Sequence, residues 1–260
     1  VKAVNRIASI LCIASILSCA HTPTAEEQEE ASFLYESGVS LFRDGRYPES
    51  IKSIEDALKL TPDRPDYMLT LGLAYMKSER YAEARTWSDR ACATGKLPTE
   101  CAVQQATVAL VQGYPAEALP WANKAVADAT YPSPAEALLL QGRALYSLNR
   151  RPEAEKSFQT AVTRAPSDCY PRLLLSRSFL ARAAFAPANR EAAIARSLCN
   201  TNERAHEWEA YVFYKTGRIA EAKKKYRRIM TLFKKGEIVE RNRQALAKLT
   251  NERPLEEPSL

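Results

Sequence analysis

One pattern governs what this chain of 260 residues can become: a block that recurs about every 34 residues. A small residue is followed by Tyr or Leu, then by Gly/Arg-Tyr-x-Glu-Ala, then by Ala and Pro. Clear copies are Gly38…Leu41…Gly45-Arg46-Tyr47-Pro48-Glu49-Ser50…Ala57…Pro62 and Gly72…Tyr75…Arg80-Tyr81-Ala82-Glu83-Ala84…Ala91. Others are Gly142…Leu145…Glu153-Ala154…Phe158…Ala161…Pro166 and Ala210…Phe213…Gly217-Arg218-Ile219-Ala220-Glu221-Ala222…Tyr226. Such a period is one supersecondary unit that cannot bury its apolar faces alone, so neighbouring units must stack. Small residues at the eighth and twentieth positions let two helices approach closely, and large ones at the fourth, seventh, eleventh and twenty-fourth fill the rest. Gly or Asn near the fifteenth position and Pro near the thirty-second punctuate the helices. Only 8 Gly occur, which fits poorly with all-β sandwiches, collagen-like chains and Gly-rich phosphate loops.

These residues resemble the tetratricopeptide repeat (TPR). Anchoring on the small eighth residue gives repeats at 31–64, 65–98, 99–132, 135–168, 169–202 and 203–236, with Ser133-Pro134 inserted. The third copy is weaker, keeping Ala106, Gly113 and Ala118. The fifth is weakest: Ser176, Phe185, Ala188 and Ala195 fit, but Pro187 falls near its second helix. The resemblance implies an all-α, right-handed superhelix of six helix-turn-helix repeats. Residues 237–250 suit a capping helix, with Ile238, Ala245 and Leu249 on one face and Glu240, Arg241, Arg243 and Lys248 on the other. Residues 251–260 read as a disordered tail.

Residues 1–18 form a leader: Lys2 and Arg6, no acid, then an apolar run from Ile7 to Leu17. That run is too short for a bilayer span, which needs roughly 20 residues, but suits a signal peptide. Mean hydropathy of -0.35 excludes a polytopic membrane protein. Ile16-Leu17-Ser18-Cys19 resembles a bacterial lipobox, which implies lipid on Cys19. The other reading is an ordinary secretory signal with an incidental Cys. Acyl chains contribute about 0.8 kcal/mol per buried CH₂. Ala20 rather than Asp follows, which by resemblance implies the periplasmic face of a Gram-negative outer membrane. Residues 19–30 read as lipid anchor and acidic tether. Losing Lys2 and Arg6 lowers the formal charge from +6 to +4, no warrant for nucleic-acid binding.

Of six cysteines, Cys12 leaves with the leader and Cys19 takes lipid, leaving four for an oxidising compartment and three possible connectivities. In the repeat frame Cys92 ends a B helix and Cys101 starts the next A helix. Cys169 opens and Cys199 closes repeat five. The frame therefore predicts Cys92–Cys101 and Cys169–Cys199, with closure entropies of roughly 3 and 4 kcal/mol; four reduced, buried side chains are the alternative. No CxxC or clustered His supports zinc, and no cofactor is implied. The two histidines are His21, in the tether, and His206, read as a packed core residue. No GxxxxGK[ST], GxGxxG or HExxH motif occurs. Glu83, Glu117, Glu153 and Glu221 recur near B-helix starts, where the helix dipole favours acids. No catalytic set is visible.

By resemblance, positions two, five, nine, twelve and thirteen face a concave groove. Here they supply Tyr35, Val39, Phe42, Leu69, Leu73, Met76, Val103, Leu110, Val111, Leu139, Tyr146, Tyr170, Leu173, Leu180, Tyr211 and Tyr214. Such a strip suits an amphipathic helix or extended peptide. Alternatively, some of these residues pack between neighbouring A helices. The Lys/Asn clamp of chaperone-type TPRs is missing at positions five and nine of repeats one and two, so the partner is not expected to be read by an acidic tail. Residues 215–248 carry 12 basic residues and three acids, a solvated face or a patch for an acidic partner or for anionic envelope components.

Leader, tether and six repeats together resemble the type IV pilus pilotins, the PilF, PilW and Tgl group. That implies an outer-membrane lipoprotein that binds secretin subunits and raises their local concentration for ring assembly. TPR lipoproteins of β-barrel assembly (BamD-like) and adaptors of peptidoglycan enzymes (NlpI-like) share the architecture.

Overall fold

A computed structural model describes residues 22–233 and 237–258, and these form thirteen helices and no strand. They are α1 Ala25–Arg43, α2 Tyr47–Leu60, α3 Pro65–Lys77, α4 Tyr81–Ala93, α5 Pro98–Val111, α6 Pro115–Ala127, α7 Pro134–Ser147, α8 Arg151–Arg164, α9 Cys169–Ala181, α10 Phe185–Leu198, α11 Glu203–Lys215, α12 Ile219–Leu232 and α13 Glu237–Thr250. Consecutive helices pair as hairpins, each odd-numbered A helix up to α11 with the following B helix. Hydrophobic side chains gather in five clusters strung along the stack rather than in one centre. That is the behaviour of a solenoid, in which each repeat is held by its neighbours.

Contact between A and B depends on missing side chains. The eighth position is Gly38, Gly72, Ala106, Gly142, Ser176 or Ala210, and all are buried. Its partner at the twentieth is Ser50, Ala84, Ala118, Ala154, Ala188 or Ala222, each fully buried. A Cβ on Gly142 would lie 2.4 Å from the Phe158 ring, and one on Gly38 2.5 Å from Ile54. The serines at these positions remain satisfied. Ser50 Oγ donates to Gly38 O at 2.8 Å. Ser176 Oγ donates to Ala188 O at 2.8 Å and accepts from Trp208 Nε1 at 2.9 Å.

Every A–B turn has the same geometry. The fifteenth residue is left-handed in all six repeats: Gly45, Glu79, Gly113, Asn149, Ala183 and Gly217, with φ of 76°, 61°, 82°, 61°, 59° and 77°. The next N–H reaches back five residues to a helix carbonyl at 2.8–2.9 Å, as from Arg46 to Leu41 and from Ala184 to Phe179. This Schellman bond satisfies carbonyls that the helix end would leave unpaired. It explains the Gly at three of the six turns. Pro187, in the first turn of α10, removes an N–H that has no intrahelical partner there, so repeat five keeps its second helix.

The recurring glutamates have a structural role. Arg46–Glu49, Arg80–Glu83, Arg150–Glu153 and Arg218–Glu221 pair across the first turn of their B helices. Glu117 is reached instead by Arg85 of the preceding repeat. Hydrogen bonds from Arg80 and Arg150 hold the carboxyls of Glu83 and Glu153 below the usual range. These pairs are exposed and add little stability each.

Two disulfides staple the weaker repeats. Cys92–Cys101 joins the end of α4 to the start of α5, with Cα atoms 5.4 Å apart. Cys169–Cys199 ties the two ends of repeat five together at 5.9 Å. The stack is closed by α13, which buries Val239, Asn242 and Leu249. Arg241 of this cap grips the buried Glu207 of α11 through two bonds of 2.6 and 2.8 Å. The side chain of Ile238, expected on this face, lies outside the described set.

Two segments differ from the sequence expectation. The first helix begins at Ala25, inside the stretch read as tether. Thr24 Oγ1 accepts the Glu27 N–H at 3.2 Å and the Glu27 carboxylate accepts the Thr24 N–H at 2.8 Å, a capping box that starts α1 early. Of residues 251–260, expected to be disordered, 251–252 form a turn and 253–258 run without helix or strand, with Leu255 packed back on the stack. The leader, Cys19 and His21 lie outside the described residues.

Three outcomes follow from this packing. Gly142→Ala should lose about 1–3 kcal/mol in urea titration, despite Ala's helix propensity, because Phe158 must move; undiminished stability would contradict the close approach. Ala183→Gly should gain about 0.5–1 kcal/mol and Gly113→Ala lose about 1 kcal/mol, since only backbone strain changes at these turns. Digestion without reductant should release peptides linking Cys169 to Cys199, and replacing both with Ser should cost about 4 kcal/mol.

Candidate functional site

Successive A helices pack on one another at every step (α1 on α3, through to α9 on α11), and no pair of successive B helices does so comparably. The stack therefore curls with its A helices on the inner side. The groove is what these helices leave uncovered.

The structure divides the sixteen expected groove residues. Leu69, Val103, Leu139 and Leu173 all occupy position five and are buried, as is Tyr211 at position nine. The four position-five side chains seal the seam between neighbouring A helices, and all five are withdrawn from the surface, which corrects the sequence expectation. Tyr35, also at position five, stacks on Tyr67 at 4.0 Å and bonds Thr70 Oγ1 at 2.9 Å. The accessible strip comes from positions nine, twelve and thirteen. Val39, Phe42, Leu73, Met76, Leu110, Tyr146, Leu180 and Tyr214 are half-buried, and Val111 is 42% exposed. Tyr170, at position two, is half-buried at the edge.

The strip also has a charge that an apolar tally misses. Positions nine, twelve and thirteen of the six repeats include Arg43, Lys77, Arg143, Arg177 and Lys215, and no acid. Arg177 lies over the Tyr146 ring at 5.2 Å, and Arg151 approaches the same ring at 5.5 Å. A cleft of about 320 Å³ opens here, lined by Tyr146, Arg151, Arg177, Leu180, Trp208 and Tyr211 among others. Burial first, and then the nearby Glu257 carboxylate, push the Tyr211 phenol up to about 12. Tyr211 therefore stays a neutral phenol near pH 7, on an apolar floor with cationic edges. Reading every residue at these groove positions, rather than the apolar ones alone, would have found the arginines.

Among the described residues, five of the twelve basic residues of the 215–248 run are paired within the chain. Lys225 reaches Glu209 at 2.5 Å, Arg241 holds Glu207, and Arg218, Arg243 and Lys248 have carboxylates of their own. His206 is buried, with Nε2 2.8 Å from Asn200 O and its ring edge-on to Phe233. Among the described residues, no helix is long and apolar enough to cross a membrane, and no three His, Cys, Asp or Glu side chains gather as metal ligands. The arrangement is a concave face that combines shape, apolar side chains and positive charge.

Comparison with known proteins matches this geometry. Residues 30–98 and 103–168 fit the family model described as Tetratricopeptide repeat. No curated protein matches the chain. Among solved structures, it is similar to PilW, described as a widely conserved type IV pilus biogenesis factor, at 19% identity and a TM-score of 0.72, covering 81% of this chain and 96% of that one. It is similar to pilF of Pseudomonas aeruginosa at 13% identity and a TM-score of 0.69, covering 88% and 100%. A tetratricopeptide repeat protein from Parabacteroides merdae aligns at 17% identity and a TM-score of 0.66, covering 86% and 88%. At these identities the likeness is one of fold.

Proposed function

This chain belongs to the tetratricopeptide repeat family, and from that premise we propose that it is a pilotin: a lipid-anchored adaptor that binds secretin subunits of a type IV pilus. The observation that carries this reading is the inner strip of half-exposed Leu73, Met76, Leu110, Tyr146 and Tyr214, edged by cations and without an acid at positions nine, twelve and thirteen. Such a surface favours an apolar or amphipathic segment with negative charge. The fold shared with two pilus proteins supports the choice of system.

In this reading, lipid on Cys19 holds the protein at the periplasmic face of the outer membrane, and the groove holds a secretin segment. The chemistry is non-covalent. Gathering subunits on one membrane surface raises their effective concentration and favours ring closure. Work of this kind needs accessible apolar area, rigid repeats and an anchor, and no proton transfer or metal.

Deleting the gene should remove heat-resistant secretin multimers and surface pili; normal multimers in the deletion strain would refute the role. In the purified protein, Leu73→Glu with Tyr146→Glu should weaken secretin-fragment binding by about tenfold or more, because charge enters the apolar floor. Helical circular dichroism should be unchanged, since both side chains are half-exposed. Unaltered binding would place the contact elsewhere on the molecule.

A further inference from the structure

The chain's own last described residues lie where a partner would. After α13 the backbone turns at Glu252, at φ 58°, and the Arg253 N–H closes the helix end onto Lys248 O at 2.8 Å. Residues 253–258 then run without helical structure back toward α9 and α11. Leu255 packs against the clusters of both the fifth and the sixth repeats, and its N–H donates to Tyr214 Oη at 3.3 Å. The Glu257 carboxylate meets Arg177 Nε at 2.5 Å. Glu256, between them, turns the other way and accepts from Lys248 Nζ at 2.8 Å. Pro258 is buried. By these contacts Leu255 and Glu257 face the groove together, while Glu256 between them faces away. Tyr214 and Arg177 stand at groove positions twelve and nine, so tail and partner compete for the same side chains.

We propose that the inner face of repeats four to six recognises an extended acidic peptide with Leu two residues before a carboxylate, and that residues 254–258 occupy this face as an internal competitor that the partner displaces. The inference rests on the groove reading above and specifies its ligand: an extended acidic strand rather than a helix. The cations at the face, Arg143, Arg177 and Lys215, fit that charge, and no acid at positions nine, twelve or thirteen opposes it. An exposed ion pair and one leucine bind weakly. Tethering compensates, because a short linker supplies an effective concentration on the order of millimolar. A partner of micromolar affinity would then displace the tail, and weaker, non-cognate peptides would not.

The test uses a fluorescent peptide of residues 251–260 and the full-length chain in two forms, unaltered and with Leu255→Ser and Glu257→Ser to free the groove. Anisotropy should show the released chain binding the peptide at least tenfold more tightly than the unaltered chain. The same peptide carrying Leu255→Ser and Glu257→Ser should fail on the released chain, and Arg177→Gln in that chain should abolish binding. Equal affinity for both chains, or equal binding of native and substituted peptide, would overturn the proposal; the peptide comparison needs no further change to the protein's fold. The unaltered chain should sediment as a monomer. A dimer dissolved by the tail substitutions would place the tail in a second copy and overturn internal competition. A released chain that binds the peptide but no secretin fragment would leave this inference standing and remove the pilotin role. Secretin binding that is indifferent to tail release, with no peptide binding, would do the reverse.

Discussion

The architecture depends on how closely two helices of a hairpin approach. Where Gly142 faces Phe158 and Gly38 faces Ile54, no room remains for one more carbon. That closeness fixes the tilt of each hairpin, and the tilt fixes how the next A helix seats. Larger residues at the twenty-fourth position, Ile54, Phe158 and Tyr226, fill the space that the small ones vacate. Because the contact recurs in each repeat, small tilts add into a continuous curve, with the A helices inside.

The groove is a by-product of this stacking, and its composition follows from position. Position five points into the seam, so its leucines at 69, 139 and 173 cement neighbouring repeats. Positions nine, twelve and thirteen look into the hollow, where apolar groups and cations stand together. At the open end of the stack, Glu207 occupies position five and is neutralised by Arg241 of the cap. A buried carboxylate there accepts this one helix through its guanidinium and disfavours another apolar repeat, because an unpaired buried charge is costly.

The repeat frame was legible because its signals are local: small residues at fixed spacing, Gly after a helix, Pro before one. Other features left weaker traces or none. Thr24 and Glu27 carried a capping-box spacing, but the acidic composition around them read as tether. Glu79 and Ala183 adopt the left-handed turn without the Gly that would announce it; the fold imposes the conformation because the Schellman bond and the packing on either side outweigh the strain. The sealed position-five leucines look the same in sequence as the exposed leucines at position twelve, since only the neighbouring repeat distinguishes them. The Pro- and Glu-rich tail has the composition of a disordered segment, and its order comes from Arg177 and Tyr214, distant in sequence.

The central claim is that polypeptide binds on the inner curve. It is tested most directly by placing a photo-crosslinking amino acid at Met76 or Val111 on the inner face, and at Lys52 on the exposed surface of α2, in the native cell. Irradiation should give a covalent adduct to one discrete polypeptide from Met76 and Val111 and none from Lys52. Adducts from Lys52 alone, or from all three positions alike, would contradict it.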